Sequence, residues 1–266
     1  MSINKINGIA SDTLSKVNGT NDALLCNMLQ GGLNNADAPM INSHSIDLDG
    51  SADYIDLLAV VGDIDTDRGS VTIWFKIDTD VTCQIWKCNQ NSSAANNQLQ
   101  IYYNAANNKI IFQQKYNGTA VTYTSDNTLT PGGDSWHFAA MSWTTGTMFA
   151  TLDGTNSEEQ EQSGTPFNPG KCMAGRNAAA SNLYFDGHIN EIGMWNAALD
   201  ADAHNAIYNS GKGINLTRDV DSYTNASDLI GYWKMEENTG STVVDSSGGG
   251  EDGALNATDL WSTDTN

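Results

Sequence analysis

The sequence predicts an all-β protein: an antiparallel β-sandwich with one short helix and an N-terminal arm of different character. Three observations carry that expectation. From residue 45 onward, apolar residues recur with a period of two in short runs, the signature of strands with one buried face. Between the runs stand Asn-Asn, Asn-Gly, Thr-Gly and Asp-Gly, dipeptides that tolerate the positive φ of tight turns. Within that part of the chain, helical spacing with matching end signals occurs in one late segment. The length of 266 residues, 39% of them hydrophobic, with 7 Trp, 9 Tyr and 6 Phe, suits one large domain with an appendage.

Residues 1–44 are poor in aromatics and rich in Asn and Gly. They carry a short echo, Lys5-Ile6-Asn7-Gly8 returning as Lys16-Val17-Asn18-Gly19. Two copies are too few for a solenoid, so the segment reads as a docking arm. Within it Leu24, Leu25, Met28 and Leu29 have helical spacing up to Gly31-Gly32, which predicts a short amphipathic helix. The sandwich is expected over 45–266. There Ile46 and Leu48 alternate with Asp47 and Asp49, and Gly50-Ser51 turns the chain. The run 70–77 puts Val71, Ile73, Phe75 and Ile77 on one face and Thr72, Trp74 and Lys76 on the other. Further strands are predicted over 83–87, 98–103, 109–116, 120–125, 136–143 and 147–153. The late helix has Asp200 as its cap, an apolar side of Ala203, Ala206 and Ile207, and Gly211 at its end.

Acidic residues outnumber basic ones by 32 to 12, a net charge of −20. Such a surface repels phosphate backbones and anionic lipid, so neither nucleic acid nor membrane is an expected partner. Divalent cations or a basic patch on a partner are the expected attractions. The first residues lack the apolar stretch of a signal peptide, which predicts a chain made in the cytoplasm. Cys26, Cys83, Cys88 and Cys172 are too scattered for a disulfide scaffold. Cys83 and Cys88 should project from opposite faces of one strand, and all four read as free thiols.

Three segments carry a family likeness: SIDLDGSADYIDL (45–57), GHINEIGMWNAALDADAHNAIYNSGK (187–212) and LIGYWKMEENTGSTVVDSSGGGEDGAL (229–255). Together they resemble the laminin-G-like/concanavalin A-like lectin superfamily over residues 43–262. The resemblance implies a jelly-roll sandwich with a circularly shifted strand order, because the GYWKMEE strand opens the domain in many members and here follows the helix. It also implies Ca²⁺ at a sandwich rim, with Asp49, Asp53, Glu191 and Asp245 as the matching ligands. The match departs at Asn190, where relatives have Asp, and at Ser247-Gly248-Gly249-Gly250-Glu251-Asp252. The alternative reading of these acids is that they cap turns.

The same order of motifs, the NKINGI-like start and the Trp261-Ser262-Thr263-Asp264 end resemble structural proteins of tailed phages. That implies a virion location, virion partners reached through the arm, and a homo-oligomer. The expected function is therefore a non-enzymatic virion protein displaying a lectin-like sandwich, with Ca²⁺-dependent glycan capture as the alternative. Trp74, Trp86, Tyr102 and Tyr103 are the aromatic residues expected to stack on sugars. Glucanases of the superfamily need an E-x-D-x-x-E strand, and no Glu here has Asp two positions on. The four His residues stand in separate contexts with no nucleophile motif. Asp63-Ile64-Asp65-Thr66-Asp67 begins like a calcium-binding loop, yet Arg68 and Trp74 occupy the positions that need Gly and Glu. It reads as a polar turn.

Overall fold

Period-two alternation becomes two antiparallel sheets in the computed structural model, which describes residues 5–6, 9–10, 42–90 and 96–266. The chain divides into two units, Met1–Ala38 and Pro39–Asn266. In the first, β1 (Lys5–Ile6) and β2 (Ile9–Ala10) pair antiparallel. The predicted amphipathic helix, the second copy of the echo and Cys26 lie outside the described residues.

In the second unit the strands run in chain order as β3 (Ser45–Asp49), β4 (Ile55–Asp56), β5 (Arg68–Ile77), β6 (Cys83–Asn89), β7 (Gln98–Asn104), β8 (Lys109–Tyr116) and β9 (Thr119–Thr124). They continue as β10 (His137–Thr144), β11 (Thr147–Leu152), β12 (Thr155–Asn156), β13 (Gln160–Glu161), β14 (Lys171–Ala174) and β15 (Asp186–Trp195). Helix α1 (Ala201–Tyr208) follows, then β16 (Leu229–Trp233), β17 (Thr242–Val243), β18 (Gly253–Leu255) and β19 (Trp261–Ser262). One sheet has the order β12-β11-β10-β5-β15-β3-β19, with β13 on β11 and β16 on β15. The other runs β17-β18-β4-β14-β6-β7-β8-β9. This is the antiparallel sandwich expected of the sequence, and it is consistent with a jelly roll.

The core lies between the sheets. Val71, Ile73, Phe75 and Ile77 point inward from β5 as the alternation predicts, and meet Leu99, Ile101 and Phe112 of the other sheet in one apolar cluster. Trp86 on β6 and Trp143 on β10 stack across this core, ring centroids 6.3 Å apart, where aromatic surface contributes most per residue. One expectation fails on β6. A bulge between Gln84 and Trp86 adds a residue to the strand, so Cys83, Ile85, Trp86 and Cys88 all join the core. The extra residue cancels the odd spacing that should have put Cys83 and Cys88 on opposite faces. Cys83, Cys88 and Cys172 are buried free thiols.

The outer face of the first sheet is covered as well. Asp200 caps α1 by accepting the Ala203 amide at 2.8 Å. Tyr208 stacks on Trp74 at 5.9 Å and lies 5.7 Å from Phe138. The inward residues of the helix are Ala203, His204 and Ile207, with Ala206 only half-buried. His204 is the anchor that apolar patterning overlooked: its ring meets Ser142 at 2.8 Å and Thr151 at 2.9 Å. The helix closes on Asn209 in the left-handed region, φ 47°, two residues before the predicted Gly211.

Burial pushes the His204 imidazole down to about 3, against an opposing pull from Asp200. The folded protein therefore binds fewer protons here than the unfolded chain between about pH 6.5 and 3, and the stability this contributes is lost as pH falls through that window. Urea midpoints are expected to drop across it, and His204→Gln, which cannot titrate, is expected to flatten that slope. An unchanged slope would show that the acid sensitivity arises elsewhere.

Candidate functional site at an acidic rim

Strand register assembles the site. Residues 50–54, 78–82 and 175–185 connect strands at the same end of the sandwich. Three hydrogen bonds tie them together: Gly50 N to Phe185 O at 3.1 Å, Asp78 N to Asp186 O at 3.0 Å, and Gln84 N to Leu183 O at 2.9 Å. Gly187 makes the closest approach, since a Cβ there would stand 2.0 Å from the Lys76 carbonyl oxygen, at φ +138°. With β15 held this close to β5, His188 faces Lys76 on one side and Asp47 of β3 on the other.

Around that row polar groups converge. Lys76 pairs with Asp264, and Trp136 donates its indole N–H to Asp264 Oδ1 at 2.9 Å. The Asp264 hydrogen bond holds Lys76 above its ordinary value, with burial pulling against it. Burial pushes the Asp264 carboxyl up, but hydrogen bonds from Lys76 and Trp136 outweigh it and leave the group below the usual range. Asp47, Asp78 and His188 each bring one ligand-capable atom within 4.8 Å of the others. Beside them a cavity of 210 Å³ is lined by Asp49, Gly50, Thr79, Val81, Cys83, Tyr184 and Asp186. Val81 at its edge is 60% exposed. Apolar surface, a half-exposed Tyr184 and several oxygen acceptors thus share one rim.

The four acids expected to hold a metal do not act together. Asp49 accepts from Ser51 N and Oγ, Ala52 N and Asp53 N; the Ser51 hydroxyl foremost, with these amides, holds its carboxyl far below the usual range. Asp53 is pushed up by burial and by the Asp49 charge. Asp245 bridges to Trp233 and accepts from Tyr232 N, Ser247 N and Oγ, Gly250 N and Glu251 N. Burial raises its carboxyl, and these donors more than reverse the effect. Asp49 and Asp245 thus spend their oxygens on turn amides. Glu191 stands apart, at a bulge in the β15 pairing with φ 47°.

Three of the four expected sugar-stacking aromatics belong to the interior. Trp86 and Tyr103 are fully buried between the two sheets, and Trp74 is 3% exposed because α1 covers that part of the outer face of the first sheet. Tyr103 donates to Asp80 at 2.7 Å. Tyr102 alone is half-buried, opposite Gln84 and Ile111. Trp136, Tyr184, Asp78 and Asp186 were not singled out from sequence, Asp264 was noted only within the Trp261-Ser262-Thr263-Asp264 end, and His188 only as one of four histidines in separate contexts. Alternation put Asp47 and Lys76 on outward positions, but only strand register puts them on either side of His188.

Burial pushes Glu191 up to about 8, against the Tyr232 hydrogen bond and the Lys234 charge. Between about pH 4.5 and 8 the folded state binds more protons here than the unfolded chain, so stability falls as pH rises through that window. Glu191→Gln is expected to remove this loss and raise the melting temperature at pH 8 relative to the wild type, with little gain at pH 5. A variant no more stable at pH 8 would mean that Glu191 is ionised at no cost in the fold.

Residues 49–203, more than half of the chain, match the family described as the concanavalin A-like lectin/glucanases superfamily. A carbohydrate-binding candidate from Bacteroides ovatus superposes with a TM-score of 0.59 at 13% identity, covering 85% of this chain and 61% of that one. The chain therefore spans less than two thirds of that relative. A heptameric SAP-like pentraxin from Limulus polyphemus superposes with a TM-score of 0.51 at 12% identity, covering 82% of this chain and 96% of that one. At such identities the likeness is one of fold. No curated protein matches the sequence. Conserved architecture and the matched segment agree, and the chain belongs to the concanavalin A-like lectin/glucanases superfamily.

Proposed function

We propose that this chain is a non-catalytic, lectin-like module that binds a neutral carbohydrate at the rim. The observation that carries the reading is the 210 Å³ cavity in which Tyr184 stands beside Asp49, Asp186 and Thr79. An aromatic face offers the apolar side of a sugar ring a stacking surface, while the Asp186 carboxylate and the Thr79 hydroxyl offer hydrogen bonds to its hydroxyl groups. The acids and the net charge of −20 disfavour anionic sugars. Asp49, held ionised by its turn donors, cannot serve as the proton-donating acid of a glycoside hydrolysis pair. Similarity to a carbohydrate-binding candidate is consistent with this reading.

A neutral-glycan array probed with the full chain is expected to show binding. Tyr184→Ala and Asp186→Asn are each expected to weaken it about tenfold, the loss of roughly 1.4 kcal/mol. An empty array, or binding untouched by both substitutions, would remove the rim as a sugar site.

A second reading concerns where the module is displayed. The Lys-Ile-Asn-Gly echo and the separate clustering of Met1–Ala38 favour an N-terminal segment that attaches the sandwich to a larger assembly, such as a phage virion, as one of several copies. Without residues 1–38 the chain is expected to fold yet stay out of purified particles. Incorporation at the full-length level would take the anchoring role away from that segment.

A further inference from the structure

We propose that Asp47, Asp78 and His188 form a site for a divalent transition-metal ion of the zinc type. Ser45 donates its hydroxyl hydrogen to the Asp264 carbonyl at 2.6 Å, so the same oxygen is left to accept from His188 Nδ1 at 3.4 Å. That network places a ring hydrogen on Nδ1 and turns Nε2 toward the carboxylates. Among the described residues the acid oxygens nearest Nε2, on Asp78 and Asp264, stand at 3.7 and 3.9 Å. The side chain that carries it is 9% exposed. A ring nitrogen directed at carboxylate oxygens beyond hydrogen-bond length leaves room for a cation between them.

Charge and ligand type narrow the ion. Lys76 pairs with Asp264, and Asp47 and Asp78 supply two carboxylates beside the ring nitrogen, a donor set that suits a dication. Imidazole nitrogen suits Zn²⁺ and its neighbours, whereas Ca²⁺ and Mg²⁺ select oxygen alone. Ligand atoms around a tetrahedral zinc lie roughly 3.3 Å apart, and the three here lie within 4.8 Å. Asp47 is exposed and Asp78 half-buried, so both have room to rotate inward, while the packed His188 stays fixed. Ser45 then has the orienting role that second partners of metal-bound histidines play, receiving the opposite ring N–H. This site stands independently of the glycan reading, because no sugar enters the argument.

The test uses the full-length chain, stripped with EDTA and titrated with Zn²⁺ by calorimetry at pH 7.5, with melting curves in Zn²⁺, Mn²⁺ and Ca²⁺. Saturable Zn²⁺ binding and a raised melting temperature are expected. Asp47→Asn and Asp78→Asn are each expected to lower affinity at least tenfold, and Ser45→Ala about tenfold. Metal-free melting of Asp47→Asn, a substitution on the surface, is expected to match the wild type and so separates lost binding from lost fold. Absent Zn²⁺ binding, binding unchanged in both acid variants, or a Ca²⁺ shift with no Zn²⁺ shift would each overturn the assignment.

Discussion

The pairing of β5 with β15 is the constraint on which the rest of the sandwich depends. β15 is flanked on one side by β5 and on the other by two different strands in succession, β3 along Asp186–Ile189 and β16 along Ile192–Trp195. The bulge between Asn190 and Gly193 marks the change of partner. One extra residue there resets the alternation, so Ile189 before the bulge and Ile192 and Met194 after it all reach the core. Glu191 occupies the bulge with a left-handed backbone and a buried carboxyl. Fold and local cost meet at this position, as they do wherever packing over-determines an unfavourable conformation.

Both faces of the first sheet are used. Its inner face closes the core, and part of its outer face receives α1 through His204, Trp74 and Phe138. An imidazole between two hydroxyls fixes the helix by direction as well as by area, since each ring nitrogen has one partner at hydrogen-bond length. At the rim end the same face carries the Asp47, His188 and Lys76 row instead of a helix. One sheet thus supplies a helix dock and, a few residues along the same strands, a polar cluster open to solvent.

Superfamily membership identifies an architecture that hosts binding and catalysis alike, so the site has to decide between them. Here the acids fall into two kinds. Asp49 and Asp245 are saturated by donors from their own turns and hold loops in shape. Asp47 and Asp78 gather with His188 at the rim. The residues most conspicuous in sequence perform structural work, and the groups left free for a ligand are less conspicuous neighbours.

Sequence alone determined the sandwich, most strand positions, the inward set of β5, and the helix with its Asp200 cap, because each follows from local periodicity or from a cap formed within a few residues. Tertiary structure alone decided which residues share a row. Asp47, Lys76 and His188 are widely separated in the chain and become neighbours only through antiparallel register, which no local pattern encodes. Bulges decided the rest: one extra residue in β6 turned both cysteines inward, and another in β15 isolated Glu191. Burial of Trp74, Trp86 and Tyr103 was equally hidden, since alternation tells which face of a strand a residue occupies and not whether a helix or a second sheet will cover it.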